Sequence, residues 1–367
     1  MNVSPSSSAS LLSSSSDNQG RPIRVLVVDD SAFMRFTLTS RLNAAEGITV
    51  VNAAHDGKEA LELIASFKPD VVTLDVEMPH MDGLTTLQQI MAKNPIPVIM
   101  VSSLTTEGAR ETIQALTWGA VDFIAKPASK ANIDTIMEDL IAKIRRAASA
   151  RVFPALSSLP SVEQNNNAQT SKHARPLREK DKIVVIGSST GGPRALNTVV
   201  SQLSPRIPAA FLIVQHMPVG FTRSLAERLN SVSELLVKEA EPGDSLETGK
   251  ALIAPGGFHM VLDGNGKIAL NQNSTVHGVR PSVDVTILSI AQQFKNATVA
   301  VILTGMGRDG TNGATLVHSL GGTVIAEDES TCVVWGMPRS VLEAGAADLV
   351  VPLHEVPKAI ERAVGWN

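Results

Sequence analysis

Between Ile23 and about Arg146 the chain alternates short apolar runs with longer amphipathic ones. IRVLVV, ITVVNAA, VVTLDV, VIMVSS and FIAKP have the length and β-branched content of buried strands. AFMRFTLTSRLNAA, EALELIASF and LTTLQQIMAK are longer and amphipathic, as helices are. This alternation predicts a βα repeat with a parallel sheet. The pattern fades over residues 147–180, where SVEQNNNAQTSKHARPLREKD has little hydrophobic periodicity and reads as a linker. It resumes at KIVVIG and continues through FLIVQ, FTRSLAERLNSV, ALIAPG, TILSIAQQF, VAVILTG, ATLVHSL, GTVIAE and DLVVPL, predicting a second, mostly parallel α/β domain over 181–367. Residues 1–22 are rich in serine, without a cationic start or an export-length apolar stretch, and read as a disordered tail before a first domain over 23–146. The halves differ in motif, so the chain is no duplication.

The 367 residues, 43% of them hydrophobic, suffice for two or three cores but argue against one large one. A net charge of −4 gives no electrostatic pull toward nucleic acid or an anionic membrane. No apolar run of about 18 residues suggests a membrane span, so no membrane insertion is expected. Cys332 is the only cysteine and sits in the apolar string STCVVWGM, which points to a buried thiol in a reducing, cytoplasmic setting.

In the first half Asp29 and Asp30 follow VLVV, Asp75 follows VVTL, Ser102 ends VIMVS and Lys126 follows FIA. Strand C-termini of a parallel sheet converge on one edge, so these side chains should meet there. Clustered carboxylates repel unless a cation neutralises them, and a hard oxygen site of this kind suits Mg²⁺. With Lys126 and Mg²⁺ holding the transferred group, Asp75 can act as nucleophile in phosphoryl transfer. The ordered set VVDDS, LDVEMPHMDG, VSS and AKP resembles the receiver domain of two-component response regulators, a flavodoxin-like, doubly wound fold. That resemblance implies phosphorylation of Asp75 by a histidine kinase and metal ligation by Asp29, Asp30, Asp75 and the backbone carbonyl of Glu77. It also implies a switch comprising the Ser102 hydroxyl and the Phe123 ring. Asp82, in MPHMDG, is assigned to loop or capping chemistry.

The second half opens with a strand and then Gly187-Ser188-Ser189-Thr190-Gly191-Gly192-Pro193. This matches the G-x-S-x-G turn that exposes a serine hydroxyl between strand and helix, although a glycine-rich turn can equally cradle phosphate. His216 follows FLIVQ and Asp309 lies in GMGRDG beyond VAVILT, so Ser189, His216 and Asp309 can share one crevice above the sheet. His259 is the main rival for the base. Asp284 and Asp328 are alternatives to Asp309, but capping or surface roles suit them better.

The segments IGSSTGG, QHMPVGFTRSLAERLN, APGGFHM, RPSVDV, ILTGMGRDG and CVVWGMPRS resemble the catalytic domain of the chemotaxis response-regulator methylesterase family, a Rossmann-like α/β domain, over essentially the whole second half. The resemblance implies Ser189 as nucleophile, His216 as base then acid, and Asp309 as the orienting carboxylate. The N–H groups of Thr190 and Met306 are the candidates for the oxyanion hole. It further implies hydrolysis of glutamyl methyl esters and deamidation of glutamines on methylated chemoreceptors. No cofactor is expected for that chemistry, and the receiver is expected to cover the cleft until phosphorylated. Ser188 stands where the family often has alanine. The competing readings are a non-catalytic binding or transcription output, disfavoured by the lack of a compact basic helix, and a nucleotide site, disfavoured because GSSTGG lacks a Lys-Ser/Thr tail.

Overall fold

The computed structural model describes residues 21–103, 105–126, 133–153 and 174–366. The expected tail over residues 1–20, the middle of the expected linker and Pro127 of the AKP motif lie outside them.

The first domain runs β1 (Ile23–Val28), α1 (Ala32–Asn43), β2 (Ile48–Ala54), α2 (Gly57–Phe67), β3 (Val71–Asp75), α3 (Gly83–Lys93), β4 (Val98–Ser102), α4 (Thr106–Trp118), β5 (Asp122–Ala125) and α5 (Ile133–Ala147). Its strands pair in parallel, as the alternation predicts, in the order β2-β1-β3-β4-β5, the flavodoxin-like order that the resemblance implies. Helices begin where a polar side chain can accept a free backbone N–H: Ser31, Asp56, Asp82 and Thr105 cap α1 to α4 in this way. Asp82 takes the Thr85 N–H at 2.7 Å, the capping role expected of it.

The second domain continues with β6 (Arg175–Pro176), β7 (Lys182–Ser188), α6 (Gly192–Val200), β8 (Ala209–Gln215), α7 (Phe221–Val232), β9 (Leu236–Glu239), β10 (Glu247–Thr248) and β11 (Lys250–Ile253). Then come β12 (His259–Leu262), β13 (Ile268–Asn271), α8 (Val283–Phe294), β14 (Thr298–Ile302), α9 (Thr311–Ser319), β15 (Thr323–Glu327), α10 (Met337–Glu343), β16 (Leu349–Val351) and α11 (Val356–Ala363). Seven parallel strands form the main sheet in the order β16-β15-β14-β7-β8-β11-β9. The chain winds one way from β7 to β8 and returns to the other side of β7 with β14. Such a reversal opens a crevice at the strand C-termini. Apolar runs without alternation are the signature of strands buried on both faces, and β7, β8 and β14 are buried along almost their whole length.

The antiparallel hairpin of β12 and β13, the strand β9 and helices α10 and α11 are absent from the sequence reading. These short elements carry too few residues to show a period. The end of the expected linker is ordered: Arg175–Pro176 pair with β10, and Arg175 forms a two-pronged salt bridge to Asp181 at 2.6 and 3.1 Å. Cys332 is buried as expected, and burial pushes its thiol well above the ordinary value. Among the described residues no helix is long and apolar enough to cross a membrane.

The start of α3 presses on the strand end that carries Asp75. A Cβ on Gly83 would lie 2.1 Å from the Asp75 carbonyl oxygen. Gly83→Ala is therefore expected to destabilise the first domain by about 1–3 kcal/mol through overpacking, measured as a fall in the urea midpoint of that transition.

Candidate active site and acidic cluster

At the C-terminal edge of the first sheet, carboxylate oxygens of Asp29, Asp30 and Asp75 lie within 4.8 Å of one another. Asp29 and Asp75 are buried and Asp30 is exposed. Lys126 reaches them from the end of β5, with Nζ 2.6 Å from Asp75 Oδ2 and 3.6 Å from Asp29 Oδ2. Burial pushes the Asp75 carboxyl up to about 6, opposed by Lys126 and reinforced by the charge of Asp29. Burial likewise raises Asp29, against the pull of Lys126. Asp29 Oδ1 accepts the Ser31 N–H at 2.9 Å, but Oδ2 is buried without a hydrogen bond. Two buried acids, one exposed acid and an unsatisfied carboxylate oxygen are a donor set that fits a small divalent cation.

Glu77, just beyond Asp75, uses its side chain to accept the Ser103 hydroxyl at 2.9 Å. The Ser102 hydroxyl is buried and donates to the Gly108 carbonyl at 3.0 Å, turned toward α4. Phe123 is also buried, with its ring 4.4 Å from that of Phe221 in the second domain. The two expected switch groups thus make these contacts with α4 and with the neighbouring domain.

In the second domain the turn after β7 brings Ser189 into a cleft of about 370 Å³ that His216 also lines. Its geometry separates the two adjacent serines. Ser188 is the last residue of β7, fully buried, and donates its hydroxyl to Gln215 Oε1 at 2.7 Å. Ser189 is half-buried and its side chain faces the cleft. Gly191 takes φ +78 to turn the chain into α6, and Pro193 occupies its first turn.

His216 follows β8 and holds Asp309 Oδ2 through Nε2 at 2.7 Å. Asp309, buried beyond β14, sits on the N-terminus of α8. Its Oδ1 accepts the Ser282 hydroxyl at 2.8 Å and the Asp284 N–H at 3.0 Å, and its Oδ2 accepts the Val283 N–H at 2.7 Å. Burial alone would raise this carboxyl, but His216, the backbone N–H and Ser282 together hold it below the ordinary value. Helix N-terminal N–H groups favour an anion at this position. An ionised carboxylate can only accept, so the proton of the 2.7 Å contact belongs to Nε2 and Nδ1 is the basic nitrogen.

Thr190 is buried and Met306 is 48% exposed. Among the described residues, neither backbone N–H has a hydrogen-bond acceptor. Asp122 and Phe123 from β5, with Lys143 and Arg146 from α5, line the same cleft.

Two supporting residues, Gln215 and Ser282, are not singled out by the sequence. Gln215 donates Nε2 to the carbonyls of Ser189 at 3.0 Å and His216 at 3.1 Å, tying the two turns together. Its position next to His216 was the available signal. Ser282 caps α8 and also holds Asp309, and only its place before VDV hints at the cap. His259, the rival base, is buried beneath: Nε2 contacts the Ser274 carbonyl at 3.1 Å and Nδ1 accepts the Ser282 N–H at 3.2 Å. Both nitrogens are engaged, so His259 supports the cap. Asp284 is not on the surface; it is buried, accepts the Gly313 N–H at 2.8 Å near the start of α9 and meets His277 at 3.2 Å. Asp328 receives the Ser330 N–H and hydroxyl in a local turn.

Residues 25–138 match the response regulator receiver domain family and residues 184–360 match the CheB methylesterase family. A protein-glutamate methylesterase/protein-glutamine glutaminase of Symbiobacterium thermophilum is 51% identical, over 95% of this chain and 99% of the relative. Proteins of that name from Pyrococcus abyssi, 47% identical over 94% of both chains, and Thermotoga maritima, 49% identical over 93% of this chain and 98% of the relative, are similar along the same two domains. A receiver-type acidic cluster and a hydroxyl, imidazole and carboxylate at one sheet edge thus occur in a chain that belongs to the protein-glutamate methylesterase/protein-glutamine glutaminase family, a receiver joined to a CheB methylesterase domain.

Proposed function

We propose that this chain hydrolyses glutamyl methyl esters, and deamidates selected glutamines, on methylated chemoreceptors, under control of phosphorylation at Asp75 by a histidine kinase. The observation that carries the reading is the 2.7 Å contact that orients His216 on Asp309 beside the Ser189 turn. His216 Nδ1 takes the hydroxyl proton as Ser189 Oγ attacks the ester carbonyl carbon. The oxyanion is held by the N–H groups of Thr190 and Met306. Collapse of the tetrahedral adduct breaks the bond to the methoxy oxygen, which leaves with the His216 proton as methanol. Water then attacks the acyl-enzyme with His216 again as base, releasing glutamate and restoring Ser189. With a glutamine side chain the leaving group is ammonia. Asp309 holds the imidazolium formed in each step and stays ionised.

In the receiver, Asp29, Asp30, Asp75 and the Glu77 carbonyl would hold Mg²⁺, which supplies neutralising charge at the transferred phosphoryl group. Lys126 stands ready to hold a phosphoryl oxygen, and Asp75 is the attacking carboxylate. The unphosphorylated receiver keeps substrate from the cleft, because β5 and α5 form one of its walls. Localisation in the cytoplasm follows from such a substrate and phosphodonor.

Methanol release from methylated receptor membranes should rise with acetyl phosphate and Mg²⁺ in the wild type but stay at its basal rate in Asp75→Asn; equal stimulation of both proteins would remove the control mechanism. Ser189→Ala is expected to lower kcat by about 10³-fold or more. Ser188→Ala should keep kcat within about threefold while costing about 1 kcal/mol of stability for the lost buried hydrogen bond. Asp309→Asn should lower kcat by about 10³- to 10⁴-fold. Its stability penalty should also depend on pH. Because the folded carboxyl lies below its ordinary 3.8, its stabilisation is complete above that value and disappears as pH falls through the lower folded one. Urea titrations at neutral pH and in strong acid should therefore show the wild type and Asp309→Asn converging in acid.

A further inference from the structure

Ser189 is held from two sides. His216 and Gln215 approach from β8; on the other side lies Thr304, just beyond β14 and buried. The Thr304 carbonyl accepts the Ser189 N–H at 3.0 Å. Its hydroxyl donates toward the Thr190 carbonyl at 3.1 Å and accepts the Val334 N–H at 3.0 Å. Next to it, a Cβ on Gly305 would come within 2.8 Å of Ser189 Cβ, so this loop lies directly against the nucleophile. The chain on both sides of Ser189 therefore takes its position from one threonine.

That threonine is fixed in turn by a group the proposed chemistry does not use. Thr304 N–H donates to Glu327 Oε2 at 2.7 Å. Glu327 is the last residue of β15, fully buried, and its Oε1 accepts the Thr331 hydroxyl at 3.0 Å. We infer that Glu327 is a positioning residue for the nucleophile: its carboxyl fixes Thr304, and Thr304 fixes the Ser189 N–H and the Thr190 carbonyl, so that the hydroxyl and the adjoining Thr190 N–H keep their aim. The inference rests on the reading of Ser189 as nucleophile.

Two arguments favour a functional over a merely architectural role. Burying a carboxyl costs free energy that an apolar side chain of the same volume would not. Burial is the largest influence on Glu327 and pushes it up to about 7, against the Thr304 and Thr331 donors, with Asp328 adjacent in sequence and Arg194 and His354 lining the same small cavity. Second, the shortest of its hydrogen bonds goes to the residue that holds Ser189. Misplacement of a reacting group by about 1 Å can cost about 10²-fold in rate, so rigidity here has kinetic value. The bond survives a change of protonation. A neutral carboxyl can donate to Thr331, whose hydroxyl has the Asp328 carbonyl 3.3 Å away, and still accept from Thr304. Glutamine can do the same with its NH₂ toward Thr331.

The test uses the full chain and two readouts: labelling of the active serine by a fluorophosphonate, and kcat and KM for methanol release from methylated membranes. Glu327→Ala should label and turn over about 10- to 100-fold more slowly, with KM within about threefold and stoichiometric labelling at long times. Glu327→Gln should recover both rates to within about threefold of wild type. Thr304→Val, which keeps the shape and removes the hydroxyl link, should show the same kcat loss and serves if Glu327→Ala does not fold. Wild-type rates in folded Glu327→Ala or Thr304→Val, or a Glu327→Gln as slow as Glu327→Ala, would overturn the inference. Ser189→Ala separates the two ideas: labelling of Ser189→Ala at the wild-type rate would remove the nucleophile assignment itself, whereas an unlabelled Ser189→Ala beside a fully reactive Glu327→Ala removes only the positioning role.

Discussion

A carboxylate taken out of water stays ionised only where other donors replace its hydration, and the catalytic half is arranged around one such group. Asp309 meets the first turn of α8 and receives two backbone N–H groups and the Ser282 hydroxyl before His216 is counted. Those bonds decide the chemistry downstream. They keep the carboxylate an acceptor, which assigns the proton of its contact with His216 to Nε2 and leaves Nδ1 basic. The cap beneath is itself supported by His259, whose Nδ1 takes the Ser282 N–H. A chain of fixed hydrogen bonds thus runs from a buried histidine through a helix terminus to the His216 imidazole.

The receiver uses the same location in a parallel sheet with the opposite electrostatics. Around Asp75 and Asp29 the donors fall short: Lys126 pairs with the two carboxylates while Arg35 bonds the Asp29 and Asp30 carbonyls, one Asp29 oxygen has no hydrogen bond, and both carboxyls are raised by burial. A site left short of positive charge is stabilised by a bound cation. Asp309 is the reverse case: its charge is already satisfied, so its task is to hold a neighbour in place. Two acids at strand ends can read alike in sequence and still differ in function because of what lies beneath them.

This difference marks the boundary of what the sequence discloses. Strand ends are legible, because an apolar run that stops at a polar residue announces an edge residue; Asp29, Asp75, Lys126 and His216 follow such runs, whereas Ser189 and Asp309 are read from glycine-rich turns beyond them. Helix caps such as Asp82 are legible for a similar local reason. Asp284 and His259 are not, since their roles are set by α9 and by the α8 cap, 29 and 23 residues distant. Ser188 and Ser189 share one motif, and only the alternation of side chains at the end of β7 buries the first and sends the second to the cleft. Phe123 is recognisable as a receiver aromatic, but its partner Phe221 belongs to another domain and leaves no trace near it in the chain.

The domains meet through buried apolar side chains of α4, β5, α6 and α7 and through a few polar bonds. Arg110 and Glu227 form an exposed ion pair, a kind that contributes at most about 1 kcal/mol. Others fall on the turn that carries Ser189, where Gly191 N–H donates to the Val121 carbonyl at 3.3 Å and the Thr190 hydroxyl to Asp122 at 3.1 Å, and Arg146 reaches Met306 Sδ at 3.6 Å. These donors adjoin Ser189, so the receiver contacts the turn that carries it. Taking such an equilibrium from almost fully closed to almost fully open needs about 5.5 kcal/mol of differential stabilisation. A phosphoryl group that forms one to three charge-assisted hydrogen bonds supplies a bias of the right order. Strand β5 offers a short route for that bias. Lys126 at its end holds Asp75, while Asp122 and Phe123 at its start touch Thr190 and Phe221. A displacement of that one strand would therefore act on both contacts at once.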